Sequence, residues 1–178
     1  MSESKLILKA PLSGPLIPLC DVPDPVFSQK MVGDGISIDP TTNTLVAPCD
    51  GKVVQLHRAG HAVTLEAANG LEIMMHIGID TVALEGIGFT SNIAMGDKVK
   101  TGDPLISFDA DFVATKAKSL MTQIIITNSD QVKNFEFGSG FATSHVDTIL
   151  TLTATAITEE ALDQNYEELC SEPVIIPN

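Results

Sequence analysis

The sequence predicts an all-β protein: an antiparallel β-sandwich of the barrel-sandwich hybrid type, with one or two short helices. Short runs rich in Val, Ile and Leu recur along the chain, and turn residues separate them at close intervals. Such spacing is typical of sandwiches and barrels. Aromatic residues are scarce, with no Trp and one Tyr in 178 residues, so the core must be built mainly from aliphatic side chains.

Six runs have the composition of strands, and Asn-Gly, Gly-Asp and similar turn signals lie between them. The predicted strands are Lys5–Lys9, Gly51–Leu56, Ala62–Glu66, Leu71–Met75, Leu105–Phe108 and Gln123–Thr127. One short surface helix is predicted over Asp111–Leu120. Its Ala and Lys residues favour helix, and its acidic start suits the positive end of the helix dipole.

Two sequence patterns favour the hybrid architecture over other sandwiches. The segment from Gly96 to Leu105 resembles the paired turns of barrel-sandwich hybrids such as biotinyl and lipoyl domains. The pattern Ala-Pro-x-x-Gly also occurs twice before an apolar run, at residues 10–14 and 47–51.

The C-terminal part differs in character from the rest. No Lys or Arg follows Lys133, and six acidic residues lie between Thr155 and the C-terminus. We therefore predict a domain over residues 1–152 and an acidic extension over residues 153–178. The extension is expected to be a solvated tail or a loosely docked helix, because so few residues cannot bury a core of their own.

The formal net charge of −13 argues against nucleic acid and anionic membranes as partners, because both would repel the protein. The charge suits two roles equally well, solubility and the steering of basic protein partners. The three cysteines have no C-x-x-C spacing and are expected to be reduced thiols. No signal peptide or membrane span is predicted, so we expect a soluble, cytoplasmic protein with no direct membrane insertion.

The most informative segment runs from His61 to His76 and predicts a strand, an Asn-Gly turn and a second strand. With Asn69 and Gly70 at the centre, residues whose numbers sum to about 139 lie opposite each other. His61 then lies near position 78, close to the end of the strand that carries His76. Modest bending would bring the two imidazoles together.

Two adjacent imidazoles suit phosphoryl transfer for a physical reason. A neutral imidazole is a good nucleophile near pH 7, and a second ring can stabilise charge on the phosphoryl oxygens. Backbone N–H groups at the Gly78 turn would add to an anion cradle. The same pair also suits two structural histidines or a zinc site. His57 and His145 show no comparable arrangement and are expected to be surface or strand residues.

Two motifs, Met31–Gly35 (MVGDG) and His76–Val82 (HIGIDTV), are highly specific in combination. Through them the chain resembles the glucose-type IIA proteins of the bacterial phosphoenolpyruvate–sugar phosphotransferase system. The resemblance runs from about Ala10 to about Leu152. The other matching segments are 10–14, 21–24, 46–48, 86–89, 102–103 and 116–119.

This resemblance implies that the phosphohistidine carrier HPr phosphorylates His76, and that the group passes to a cysteine of a sugar-specific IIB domain in a IIB/IIC permease. His61 matches the supporting histidine of the family. Regulated permeases or kinases are further implied partners. The resemblance also implies a partner-binding surface, here called the docking rim, made of Phe27, Val32, Met74 and Val82 with Asp24 and Asp80 beside them.

The chain departs from the family pattern at Ala59, where many members have Thr two residues before the supporting histidine. The hydrogen-bond network around His61 must therefore be shorter or use another donor. The residues do not select the transported sugar. No cofactor is expected to be required.

Two other functions are compatible with parts of the sequence. A zinc peptidase of the lysostaphin-like class would need an H-x-H pair, which the chain lacks. A regulatory binding protein switched by phosphorylation is compatible with the carrier role. We expect no tightly bound metal in the isolated protein, although His61 and His76 are possible zinc ligands together with a partner carboxylate.

Overall fold

The computed structural model describes residues 3–155. Within that range the chain forms fourteen β-strands and two α-helices. The strands are β1 Glu3–Lys9, β2 Gly14–Pro18, β3 Asp34–Ile38, β4 Thr44–Val46, β5 Gly51–Leu56, β6 Ala62–Glu66, β7 Glu72–His76, β8 Phe89–Ser91, β9 Lys98–Val99, β10 Pro104–Phe108, β11 Thr122–Ile126, β12 Val132–Phe137, β13 Phe141–Ala142 and β14 Thr148–Thr155. The α-helices are α1 Pro25–Ser28 and α2 Ala110–Lys116, and 3₁₀ helices cover Leu19–Asp21, Thr81–Leu84 and Ser129–Gln131.

The strands form three antiparallel sheets. The largest has eight strands in the order β13-β2-β3-β11-β7-β6-β5-β9, and two three-stranded sheets have the orders β1-β14-β12 and β4-β10-β8. The predicted all-β sandwich with two short helices is confirmed. β5 and β6 have the predicted bounds, and the other four predicted strands match within two residues.

The predicted helix over Asp111–Leu120 is wrong at its C-terminal end, because α2 stops at Lys116. Its start is capped by Asp109, whose side chain accepts a hydrogen bond from the Phe112 N–H at 3.1 Å. The chain then becomes extended and forms a β-bridge to the loop after β7. Pairing with that loop replaces the last predicted turn of helix.

β11 is buried along its whole length, because it separates two apolar clusters. Ile124 and Ile126 face the main core of the sandwich. Ile125 points to the other side and packs with a small second cluster that includes Leu19 and Phe27. Burial of aliphatic surface at roughly 25 cal/mol per Å² therefore stabilises β11 from both faces.

The last strand, β14, pairs with both β1 and β12 and continues to Thr155. The predicted boundary between residues 152 and 153 thus falls inside this strand, and most of the predicted acidic extension lies outside the described residues. None of the helices in the range 3–155 is long and apolar enough to cross a bilayer.

Candidate functional site

His76 is the last residue of β7 and is held between two neighbouring strands. Its backbone lies opposite Ala62 of β6 on one side and opposite Gln123 of β11 on the other. The imidazole is therefore attached to an inner strand of the largest sheet. Such a position is rigid compared with one on a free loop.

The His76 ring is oriented by the turn that follows it. Its Nδ1 lies 3.0 Å from the Gly78 carbonyl oxygen. A carbonyl oxygen only accepts hydrogen bonds, so Nδ1 donates and, in the neutral ring, Nε2 carries the free lone pair. Gly78 has a φ of 79°, and a Cβ there would lie 2.5 Å from the Thr81 Cγ2 atom. Glycine is therefore required at this turn.

His61 lies directly before β6, and its carbonyl accepts a hydrogen bond from the Ile77 N–H at 2.8 Å. Its ring centroid is 4.9 Å from that of His76, and the two rings meet edge to face at 80°. The two predicted site histidines are thus brought together. The His61 side chain is buried, with 2% of its surface exposed.

The predicted hairpin register is wrong by one residue. Ala62, rather than Val63, lies opposite His76, so paired residue numbers sum to 138 instead of about 139. Ala67 donates to the Leu71 carbonyl, which leaves a loop of three residues between them. An Asn-Gly pair suggests a two-residue turn, and the longer loop accounts for the shift.

His57 also belongs to this site, so the prediction that it has no comparable arrangement is wrong. Its ring centroid lies 4.3 Å from that of His61. One feature of the sequence could have indicated this contact: His57 and His61 lie at opposite ends of the five-residue loop between β5 and β6. His145 is exposed and lies beside Gly102 in another part of the fold, as a surface residue.

The three imidazoles line one cleft of about 280 Å³, here called the histidine cleft. Its lining residues are Gln55, His57, His61, Ala62, Val63, Thr64, Met74, His76 and Val82. A larger apolar groove of about 350 Å³ lies beside β2 and the end of β12, but the described residues that line it include no histidine. Among these two clefts, the imidazoles are therefore gathered in the histidine cleft.

Both central histidines are kept neutral at pH 7. Burial, together with repulsion from positive charge on His76 and His57, lowers the pKa of His61 to about 4. Burial also lowers the pKa of His76, while the hydrogen bond to Gly78 and the nearby Asp24 carboxylate act in the opposite direction. Neutral imidazoles keep a lone pair available for nucleophilic attack.

The apolar members of the predicted docking rim lie around these histidines. The Phe27 ring lies 5.1 Å from that of His76, and Val32 and Met74 pack against the same small cluster as Phe27. Val82 lines the histidine cleft and is 55% exposed.

The acidic members of the docking rim differ in their contacts. Asp24 caps α1, because its side chain accepts a hydrogen bond from the Val26 N–H at 3.0 Å. Asp80 is exposed and precedes the 3₁₀ helix that carries Val82. Sequence reasoning missed Val26 and Met31, which add exposed apolar surface next to Phe27 and Val32.

No group of three or more His, Cys, Asp or Glu side chains is arranged to hold a metal ion within residues 3–155. His61 and His76 supply two ring nitrogens near each other, which is fewer than the three or four protein ligands of ordinary zinc sites.

The fold and the histidine cleft define a small all-β protein with a cluster of imidazoles at one end of its largest sheet. The family described as phosphoenolpyruvate-dependent sugar phosphotransferase system, EIIA 1, matches residues 6–132. The chain belongs to this family, whose members are phosphoryl carriers in sugar uptake.

Similar proteins support this assignment. A glucose-specific EIIA component from Staphylococcus epidermidis is 48% identical over 132 residues, which cover 74% of this chain and 80% of the relative. One from Bacillus cereus is 47% identical over 133 residues, covering 75% and 81%. The solved structure of glucose permease IIA from Mycoplasma capricolum matches with a TM-score of 0.79 and 36% identity, over 83% of this chain and 96% of that one.

The depressed pKa of His61 predicts a pH-dependent stability. Its value of about 4 in the folded protein lies below the usual 6.5, so the unfolded chain binds more protons between these values. Its contribution to stability is complete above pH 6.5 and is lost as the pH falls towards 4, by roughly 2–3 kcal/mol. We expect His61→Gln to flatten this loss in urea unfolding measured across that range. The matched control His145→Gln should keep the wild-type slope, and a wild-type slope in His61→Gln would contradict the assignment.

Proposed function

We propose that His76 accepts a phosphoryl group from HPr and passes it to a cysteine of a IIB domain. The observation that carries this proposal is the 3.0 Å contact between the His76 Nδ1 and the Gly78 carbonyl oxygen. Because its Nδ1 proton is committed to the Gly78 carbonyl, Nε2 is the nucleophilic nitrogen in the neutral ring. The neighbouring His61 ring provides a second imidazole that can support such a transfer.

The transfer consists of two displacements at phosphorus. In the first, the Nε2 lone pair of His76 forms a new N–P bond while the N–P bond of phospho-HPr breaks, and its electron pair stays on the HPr imidazole. In the second, a thiolate of the IIB domain forms an S–P bond, and the electron pair of the broken N–P bond returns to Nε2. Each step moves one phosphoryl group and needs no other reactant.

His61 supports this chemistry without accepting the group. Its Nδ1 is buried and has no hydrogen-bond partner among the described residues. We infer that its proton sits on Nε2, where it can donate to a phosphoryl oxygen attached to His76. A donor already aimed at developing charge stabilises the transition state, and losing one such donor costs about 10²–10³ in rate in other enzymes.

The docking rim suits more than one partner in succession. Apolar side chains next to His76 provide surface that can be buried in a complex, and the acidic flanks Asp24 and Asp80 favour positively charged groups on a partner. The names of the similar proteins favour a glucose-type IIB/IIC permease as the receiver. Phosphorylation adds negative charge beside this rim, so regulated permeases or kinases would distinguish the two forms of the carrier.

The proposed carrier function predicts that His76, and not His61, holds the phosphoryl group. Wild-type protein incubated with phosphoenolpyruvate, enzyme I and HPr should gain the mass of one acid-labile phosphoryl group, and His76→Gln should gain none. His61→Gln should still gain the group, but its transfer to the IIB domain should slow by roughly 10²-fold, because a donor is lost. Intact-mass spectrometry and a single-turnover transfer assay measure both. Absence of uptake by the wild-type protein would refute the proposal.

The docking rim predicts a second effect that is separate from the chemistry. Val82→Asp should slow uptake from HPr by about tenfold or more, because it places a charge in a surface that becomes desolvated. Val146→Asp is the matched control, since Val146 is 61% exposed and Val82 is 55% exposed. The control should react at the wild-type rate. Equal rates for the two variants would remove Val82 from the interface.

For metals, we propose that the isolated protein binds no zinc tightly and that zinc joins only when a partner carboxylate completes the site. Two ring nitrogens alone bind weakly, because structural and catalytic zinc sites use three or four protein ligands. Zinc content after treatment with a chelator and gel filtration should therefore be far below one ion per chain. One ion per chain under those conditions would overturn this expectation.

A further inference from the structure

The loop between β5 and β6 is organised around His57. The His57 N–H donates to the Ala62 carbonyl at 2.9 Å, and the His57 carbonyl accepts from the Gly60 N–H at 2.8 Å. The His57 side chain joins in, because its Nδ1 accepts the Ala59 N–H at 3.0 Å. Backbone and imidazole of this residue are therefore both fixed relative to the loop that ends at His61.

The fixed His57 ring packs directly on His61. Among the aromatic neighbours of His61 in the described structure it is the nearest, with a centroid separation of 4.3 Å and an interplanar angle of 52°. His76 follows at 4.9 Å and Phe89 at 6.2 Å. His57 itself stays exposed on its outer side and lines the histidine cleft.

The Nδ1 atom of His61 is buried and has no hydrogen-bond partner among the described residues. No hydrogen bond through this atom therefore orients the ring. Residue 59, two positions earlier, is an alanine and has no side-chain donor. The ring must therefore be kept in place by its packing neighbours. Aromatic contacts at such separations contribute about 0.5–1.5 kcal/mol beyond buried area.

We propose that His57 is a positioning residue for phosphoryl transfer, which holds His61 edge-on to His76 by ring packing in place of a hydrogen-bond network. The inference rests on the proposed function, since it assigns His57 to the same reaction. A packing role fits the contacts better than a role as a cation. Its Nδ1 accepts a backbone N–H, and protonation of that nitrogen would break the bond.

Two substitutions separate the ring from the hydrogen bond. His57→Phe keeps an aromatic ring against His61 and loses the acceptor for Ala59. His57→Asn keeps a side-chain oxygen that can accept the Ala59 N–H and loses the ring. The two readouts are the single-turnover rate of transfer from phosphorylated carrier to the IIB domain, and the ring NMR shifts of His61 in the unphosphorylated protein.

We expect His57→Phe to transfer within about twofold of wild type, and His57→Asn to be slower by between about tenfold and 10²-fold, because small misplacements of a catalytic group are costly. The pH profile of His57→Phe should match that of the wild type. The ring shifts of His61 should change in His57→Asn and stay close to wild type in His57→Phe.

Two results would overturn the proposal. The first is a wild-type transfer rate in His57→Asn, and the second is a His57→Phe variant as slow as His57→Asn. The NMR arm does not depend on phosphoryl transfer. If the wild-type protein took up no phosphoryl group, the carrier function would fail, while the shifts of His61 would still test whether the His57 ring positions it.

Discussion

The geometry of the histidine cleft depends on the burial of β11 on both faces. One face belongs to the main core, and the other packs under Leu19 and Phe27. β7 is hydrogen-bonded to β11, so the strand end that carries His76 inherits this stability. Phe27 then contacts the imidazole from the same small cluster. The position of the His76 imidazole is thus set by folding of the chain itself.

Much of the sandwich could be predicted from the sequence, because the aliphatic runs of β5, β6 and β11 indicate strands by composition alone. Strands of two or three residues, such as β9 and β13, are too short to show any alternation. The four-residue helix α1 is likewise too short for a periodic signal. The end of α2 was missed for another reason: a β-bridge formed with the distant loop after β7 overrides local helix propensity there.

The candidate site could be predicted in part. The hairpin centred on Asn69 placed His61 near His76, although the loop is one residue longer than an Asn-Gly pair suggests. The contact between the His57 and His61 rings was signalled only by the two residues lying at opposite ends of one loop, because composition does not fix the geometry of that loop. Nor does composition reveal that the His61 Nδ1 is buried without a partner in the described fold. Buried polar atoms without a hydrogen-bond partner are exceptions to the usual rules of folding, and such exceptions are concentrated at functional sites.

The hydrogen bond between the His76 Nδ1 and Gly78 affects the order in which partner proteins can bind. Under the proposed function, only one nitrogen of His76 can carry the phosphoryl group, so the protein that loads the group and the protein that unloads it must take turns at the histidine cleft. Each complex would then have to dissociate before the next one forms, so slow dissociation would limit the flow of phosphoryl groups. Any tight-binding protein on that face would slow sugar entry by occupancy alone. A docking rim with only four apolar side chains suits short-lived complexes.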